Sequence, residues 1–171
     1  MRPPDLHHIQ AAEGWLALGL VEDAIAELAR ISPPNRNDTR VLVVRWEIHS
    51  KTGDWCSAHA VAKDLVELNK DSAAAWLHLA YATRRIDTGG LQPAWNILLP
   101  TVDQFPEEPT IPFNLACYAA QMGRLTEAWN WFQEAVRRSG NHRAMVKMAT
   151  ADKDLEPIWD RIKREYGHRM K

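Results

Sequence analysis

The sequence has 171 residues, enough for one domain or one short repeat array. Lys and Arg number 21 against 22 Asp and Glu, so the formal net charge is -1, which argues against nucleic-acid binding because such proteins usually carry a basic excess. No segment approaches the roughly 20 apolar residues that span a bilayer. The first residues lack the apolar run of a signal peptide, so we expect a cytoplasmic location without membrane contact.

Three columns of residues recur along the chain at a nearly constant step. The alanines step by 34, 36 and 34 residues: Ala24, Ala58, Ala94 and Ala128. The residues three places earlier repeat these steps: Val21, Trp55, Leu91 and Leu125. A third column steps by 34, 34 and 36: Ala12, Trp46, Ala80 and Ala116. The columns agree on four repeats with one two-residue insertion, which we place at the flexible Gly89-Gly90 turn.

Each repeat is predicted to form two helices joined by a short turn, at about residues 5–38, 39–72, 73–108 and 109–142. Gly19 and Gly53 mark the turns of the first two hairpins. Asp38 or Thr39 is expected to cap the helix that opens the second hairpin.

The third and fourth hairpins carry similar signals. Asp71 or Ser72 is expected to cap the third hairpin, and Pro100 should kink or end a helix predicted over 91–104. Gly123 marks the turn of the fourth hairpin, whose second helix has the predicted apolar stripe Leu125, Ala128, Trp129, Phe132, Ala135 and Val136. We expect the two helices to approach closely at the small residues Ala116 and Ala128.

Residues 143–171 are predicted to form C-terminal capping helices and a basic tail. A short helix is expected over 142–149, and a last helix is expected to begin near Glu156-Pro157. Repeat arrays need a terminal cap with a polar outer side. The basic residues between Arg137 and Lys171 are interpreted as a solvated cap, with a weak site for an acidic partner as the alternative.

The repeats resemble the tetratricopeptide repeat family, whose signature is a 34-residue helix–turn–helix with Trp, Leu-Gly and Tyr on the first helix and Ala, Phe and Pro on the second. The resemblance covers about residues 5–142. The fourth hairpin matches at Leu115-Ala116, Gly123, Ala128 and Phe132, and the third at Trp76, Leu79-Ala80, Ala94 and Pro106. The resemblance implies an all-α fold, a right-handed superhelical stack of antiparallel helical hairpins. Arg45-Trp46 departs from the pattern and can rotate or displace the first helix of the second hairpin.

The same resemblance implies that the first helix of each hairpin lines a concave groove that binds a peptide. The groove positions fall on Ile9, Glu13, Leu16, Val43, Glu47, Leu77, His78, Tyr81, Arg84, Phe113, Asn114 and Cys117. Some family members hold a peptide carboxylate with lysine, asparagine and arginine, and that set is not matched here. We therefore expect an apolar or amphipathic peptide segment instead.

Few residues suggest catalysis or metal binding. Cys56 and His59 lie three apart with His49 nearby, but no Cys-x-x-Cys pair or further ligand set accompanies them. Cys117 has no histidine within one helical turn, and two cysteines are too few for a disulfide framework. We expect no metal, no cofactor and no enzymatic activity.

Three functional hypotheses follow. The leading one is a non-catalytic protein–protein interaction scaffold in a bacterial-type multiprotein assembly, binding a peptide in the groove. The second is a structural module that forms a homo-oligomer through apolar faces. The third is a thiol or metal-dependent enzyme. The sequence leaves the identity of any partner open.

Overall fold

The computed structural model describes residues 3–167, so His168, Arg169 and Lys171 of the predicted basic tail lie outside the described residues. This part of the chain contains ten α-helices and three 3₁₀ helices, and no β-strand. The α-helices are α1 (Pro3–Ala17), α2 (Val21–Ala29), α3 (Thr39–Thr52), α4 (Trp55–Leu68), α5 (Ala73–Thr83), α6 (Leu91–Leu98), α7 (Thr110–Gln121), α8 (Leu125–Arg138), α9 (His142–Ala151) and α10 (Trp159–Tyr166). The 3₁₀ helices are Pro33–Asn35, Leu99–Thr101 and Lys153–Ile158. None of the described helices is both long and apolar enough to cross a membrane.

The chain divides into an N-terminal unit, Met1–Thr88, and a C-terminal unit, Gly89–Lys171. This division falls inside the third predicted hairpin, so that α5 belongs to the first unit and α6 to the second. The partition into four hairpins with the boundaries predicted above therefore stays a prediction.

The N-terminal unit is built from two helical hairpins and α5. Helices α1 and α2 pack together, as do α3 and α4, and α5 packs on α4. Apolar side chains of α1, α2 and α3 and of the segment after α2 form one core: Ile9, Ala12, Leu16, Ala24, Leu28, Ile31, Val41, Val44 and Ile48. Burial of this surface is the main stabilising contribution to such small helical units.

Helix ends in this unit follow the predicted signals. The Asp38 carboxylate accepts a hydrogen bond from the Arg40 backbone N–H, and the Ser72 hydroxyl accepts one from the Ala75 N–H. Gly53 ends α3 with φ 76°, a left-handed conformation that suits glycine because it lacks Cβ. Of the alternatives left open above, Asp38 and Ser72 are the capping residues.

The C-terminal unit is centred on the α7–α8 hairpin, where Ala116 and Ala128 are fully buried. Helix α6 ends at Leu98 and continues into a 3₁₀ helix that contains Pro100, as the missing proline N–H requires. The prediction that Leu125 belongs to the buried stripe of α8 is wrong, because this side chain is 43% exposed. Side chains lean toward the N-terminus of their helix, so the first residue of α8 projects past the end of the packed stripe.

The segment after α8 caps the α7–α8 hairpin. Helix α9 extends two residues beyond its predicted end. The last helix begins at Trp159, after a 3₁₀ helix that contains Pro157, and not near Glu156-Pro157 as predicted. This 3₁₀ helix, Lys153–Ile158, packs on α7 and is called the C-terminal 3₁₀ helix below. Its apolar side chains Leu155 and Ile158 are buried.

Candidate interaction surface

Two of the groove residues predicted on α1 lie in the core. Ile9 and Leu16 are each only 2% exposed, and both belong to the apolar cluster shared by α1, α2 and α3. Glu13, between them in sequence, is exposed. Helix α1 therefore offers Glu13 to a partner, and the expectation that Ile9 and Leu16 line an accessible groove is corrected by their burial.

The predicted groove residues on α7 are covered by the chain itself. Phe113 and Cys117 are buried, and the C-terminal 3₁₀ helix packs on this helix. The Cys117 Sγ lies 3.8 Å from the Asp152 Oδ2, and the Gln121 side chain donates a 2.9 Å hydrogen bond to the Asp154 carbonyl oxygen. Half-buried Asn114 donates to the Thr110 carbonyl oxygen of its own helix. Phe113 and Cys117 thus offer no accessible surface.

Apart from half-buried Asn114, the groove residues that are not buried all lie in the N-terminal unit. Those with surface to offer are either exposed or half-buried: Glu13, Val43, Glu47, Leu77, His78, Tyr81 and Arg84. Helices α1 and α3 pack side by side, and Val43 of α3 and His78 of α5 line one small cleft. We call the surface formed by Glu13, Val43, Glu47, Leu77 and Tyr81 the N-terminal face.

An aromatic cluster supports one end of this face. The Trp46 ring stacks on the His78 ring and meets the Tyr81 ring edge-on, with 6.1 Å between centroids. The Trp55 and Tyr81 centroids are 5.8 Å apart, and the Arg85 guanidinium lies 3.5 Å from the Tyr81 centroid and 4.9 Å from that of Trp55. These contacts hold Tyr81 in one orientation although it is 37% exposed.

Sequence reasoning missed Trp46, Trp55 and Arg85. One signal for Trp46 was visible, because it stands in a column otherwise occupied by alanine. A tryptophan in place of alanine has to direct its ring away from the close helix contact, and here it reaches α5. Arg85 left no such signal, since it lies just beyond the end of α5 in a region where arginine is ordinary.

The charges on the N-terminal face are unevenly distributed. Burial raises the pKa of Glu47, and the neighbouring Glu13 carboxylate raises it further, while Lys51 acts in the opposite direction. Burial lowers the pKa of His78 to about 4, so its imidazole is neutral at pH 7. The face therefore has an acidic end at Glu13 and Glu47 and an aromatic end at Tyr81, where the Arg85 guanidinium lies against the ring.

Two buried polar atoms of the aromatic cluster are unpaired. Within residues 3–167 the Trp46 Nε1 and the His78 Nδ1 have no hydrogen-bond partner. A buried polar group without a partner costs on the order of 1–3 kcal/mol. The stacked rings are thus held by packing and not by a hydrogen-bond network.

Comparison with known proteins gives likenesses in structure but not in sequence. No family model matches the chain, and no curated protein sequence matches it. A crystal structure of MamA superposes with a TM-score of 0.70 at 16% identity, covering 99% of this chain and 95% of that one. A second structure, "MamA MSR-1 C2", superposes with a TM-score of 0.62 at 14% sequence identity and covers 98% of both chains. YrrB, described as a TPR protein with an unusual peptide-binding site, superposes with a TM-score of 0.62 at 12% sequence identity. This likeness covers 95% of this chain and 87% of YrrB. The chain has the tetratricopeptide-repeat fold.

Within this tetratricopeptide fold, the cysteine and histidine residues considered above for catalysis or metal binding have the following neighbours. Cys56 is exposed, and the His49 Nδ1 pairs with the Asp54 carboxylate at 3.3 Å. Cys117, Asp152 and Asp154 bring three possible metal ligands within 4.8 Å of one another. Asp152 also accepts a hydrogen bond from the Asp154 N–H, which caps the C-terminal 3₁₀ helix. This capping role accounts for the position of the Asp152 carboxylate.

Proposed function

We propose that this chain is a non-catalytic protein-interaction scaffold of a cytoplasmic assembly and that it binds an apolar or amphipathic peptide segment on the N-terminal face. The tetratricopeptide-repeat fold and its likeness to YrrB support a role in protein or peptide binding. Because Ile9, Leu16, Phe113 and Cys117 are buried, we place the binding surface on the exposed parts of α1, α3 and α5.

The observation that carries the proposal is the fixed, exposed ring of Tyr81. Arg85, Trp55 and Trp46 pack against it, and more than a third of its surface stays exposed. Immobilising a side chain on binding costs free energy, and a ring that is already fixed avoids most of that cost. Aromatic residues in such positions often dominate the free energy of an interface.

The charge distribution indicates what the peptide carries. An apolar side chain of the peptide packs on Leu77 and Tyr81, with Val43 beside them. A lysine or arginine of the same peptide lies against Glu13 and Glu47. Because Glu47 is partly desolvated and already beside another carboxylate, a cation stabilises its charged form.

A binding measurement on the purified protein tests this proposal. Peptides selected against the full chain from a random display library are labelled and titrated by fluorescence anisotropy. Leu77→Asp and Tyr81→Ala should each weaken binding roughly tenfold or more, which corresponds to about 1.4 kcal/mol. Leu68→Asp is the matched control, since Leu68 is exposed on α4 and outside the N-terminal face. Unchanged affinity in a folded Leu77→Asp variant would exclude the proposed surface.

Self-association is the second candidate function, and exposed leucines favour it. Leu18 and Leu20, in the turn between α1 and α2, are 72% and 44% exposed. Paired apolar side chains of this kind are common in interfaces between copies of a chain. Sedimentation velocity over a wide concentration range separates the candidates: Leu18→Asp should abolish any dimer, and a monomer at every concentration rules self-association out.

A further inference from the structure

A second pocket lies in the N-terminal unit, between α2 and α3. Its volume is about 420 Å³, within the size range of ligand pockets. Apolar side chains form most of its wall, and three basic residues join them: Ile25, Leu28, Ala29, Arg36, Arg45, Ile48 and His49. We call this the Arg45 pocket.

The repeat columns explain why the pocket exists. The residues that precede the recurring third column by one place are Arg45, Leu79 and Leu115 in the second, third and fourth hairpins. Leu79 and Leu115 are buried, whereas Arg45 is only half-buried. Four places further on, His49 is half-buried while the matching Thr83 and Ala119 are buried. The pocket therefore occupies the space that a leucine fills elsewhere in this chain.

The Arg45 guanidinium has no ion-pair partner among residues 3–167. It makes no hydrogen bond, ion pair or ring contact with any residue between 3 and 167. Nearby, the Arg36 Nε donates to the Ile31 carbonyl oxygen, and His49 pairs with Asp54. The Arg45 nitrogens are not among the buried, unpartnered polar atoms of residues 3–167, so they are open to a ligand. A carboxylate brought to this guanidinium gains a charge-assisted, bidentate contact.

We propose that the Arg45 pocket is a second binding site, which takes an acidic-apolar peptide segment of a partner protein. A large apolar side chain of the segment packs between Ile25 and Ile48, and a neighbouring Asp or Glu carboxylate pairs with Arg45. Ile25 and Ala29 are exposed, so the pocket is a wide, shallow opening.

This site is independent of the N-terminal face. On an α-helix, Arg45 and Glu47 point roughly 160° apart. The two surfaces also differ in charge, with two carboxylates on the face and two arginines at the pocket. A failure of one proposal therefore leaves the other unaffected, and Tyr81→Ala should not alter binding at the Arg45 pocket.

The test uses an acetylated heptapeptide with the central sequence Leu-Phe-Asp-Glu, titrated into the ¹³C-methyl-labelled full chain. The methyl signals of Ile25 and Ile48 should shift on binding. Arg45→Leu should weaken the affinity roughly tenfold or more, whereas Arg40→Leu, an exposed arginine on the same helix, should leave it unchanged. If Arg45→Leu does not fold, Arg45→Gln provides the same test. A second peptide with Leu-Phe-Lys-Lys at its centre should not bind.

Three results would overturn the proposal. The first is the absence of any methyl shift with the acidic peptide at millimolar concentration. The second is binding of decanoate but not of the peptide, which would make the site a fatty-acid site. The third is a concentration-dependent dimer that Arg45→Leu abolishes while the peptide causes no shift, which would make a second copy of the chain the occupant.

Discussion

The Trp46 indole lies on the His78 imidazole, with 3.9 Å between ring centroids and 14° between ring planes. This contact joins α3 to α5 and places a titratable ring in the packed part of the N-terminal unit. The His78 Nδ1 finds no partner among residues 3–167, and burial holds the pKa of this imidazole at about 4. Protonation of His78 in the folded chain is therefore unfavourable.

Acidification should destabilise the protein through His78. The pKa of His78 is lower in the folded than in the unfolded chain, so the unfolded chain binds more protons between about pH 6.5 and pH 4. The free energy of unfolding is thus highest above pH 6.5 and falls as the pH drops, by about 2–3 kcal/mol from this group. Denaturant titrations at pH 7 and pH 4.5 measure the difference.

His78→Phe keeps an aromatic ring against Trp46 and should flatten the pH dependence in this range. His59, whose pKa is also lowered by burial and by Lys63, acts in the same direction, so His59→Ala serves as the comparison. Glu47 acts in the opposite direction because its pKa is raised. An unchanged pH slope in His78→Phe would show that His78 is not the buried titrating group.

Leu155→Ala should destabilise the C-terminal unit by about 2–5 kcal/mol, because Leu155 of the C-terminal 3₁₀ helix is fully buried and its truncation leaves a cavity. Leu125→Ala is the matched control. The Leu125 side chain is 43% exposed at the start of α8, so its truncation should lower the free energy of unfolding by less than about 0.5 kcal/mol. Urea denaturation measures the free energy of unfolding of both variants, and an equal decrease in the two would contradict the burial described for Leu155.

Adjacent arginines on α8 should differ strongly in their contribution to stability. Arg138 is 7% exposed, pairs with Glu134 at 2.6 Å and donates hydrogen bonds to the carbonyl oxygens of Val102 and Phe105. Arg137 also pairs with Glu134 but is 69% exposed. Arg138→Lys should cost about 1–3 kcal/mol by leaving carbonyls unpaired. Arg137→Lys should cost clearly less, because its ion pair is exposed to water. Thermal unfolding followed by circular dichroism compares them directly, and a larger loss for Arg137→Lys would refute this assignment.

Ala128→Leu should overpack the α7–α8 hairpin and cost about 1–3 kcal/mol, because Ala128 is fully buried in the contact between the two helices. Ala60→Leu, an exposed alanine within α4, is the control and should change stability by less than about 0.5 kcal/mol. Both variants are compared by chemical denaturation. Tolerance of leucine at position 128 would mean that the helices do not approach closely there.

Periodicity predicted the fold because the repeat recurs four times. The alanines of the first column, Ala24, Ala58, Ala94 and Ala128, are all fully buried. Helix ends such as Gly53 and Pro100 were predictable from single residues, since their backbone preferences are local. The start of α10 was not, because a 3₁₀ helix accepts Pro157 as readily as an α-helical first turn does.

The interaction surface was harder to predict, because exposure depends on contacts distant in sequence. The resemblance placed Cys117 on an inner surface, yet residues 35 places later cover it. Similarly, the departure at Arg45-Trp46 was visible in the sequence, but not the pocket or the aromatic stack that it produces. The sequence identifies the residues that break the repeat, whereas the structure shows the pocket and the aromatic stack that form there.

The C-terminal 3₁₀ helix belongs to the same chain as α7 and covers part of its surface. A free ligand of that surface would compete with it. A segment joined to the same chain by a short connection has an effective concentration in about the millimolar range. A free peptide directed to that surface must first displace Leu155 and Ile158, and so binds more weakly than its contacts alone would give. Any ligand of α7 would need contacts strong enough to displace this segment.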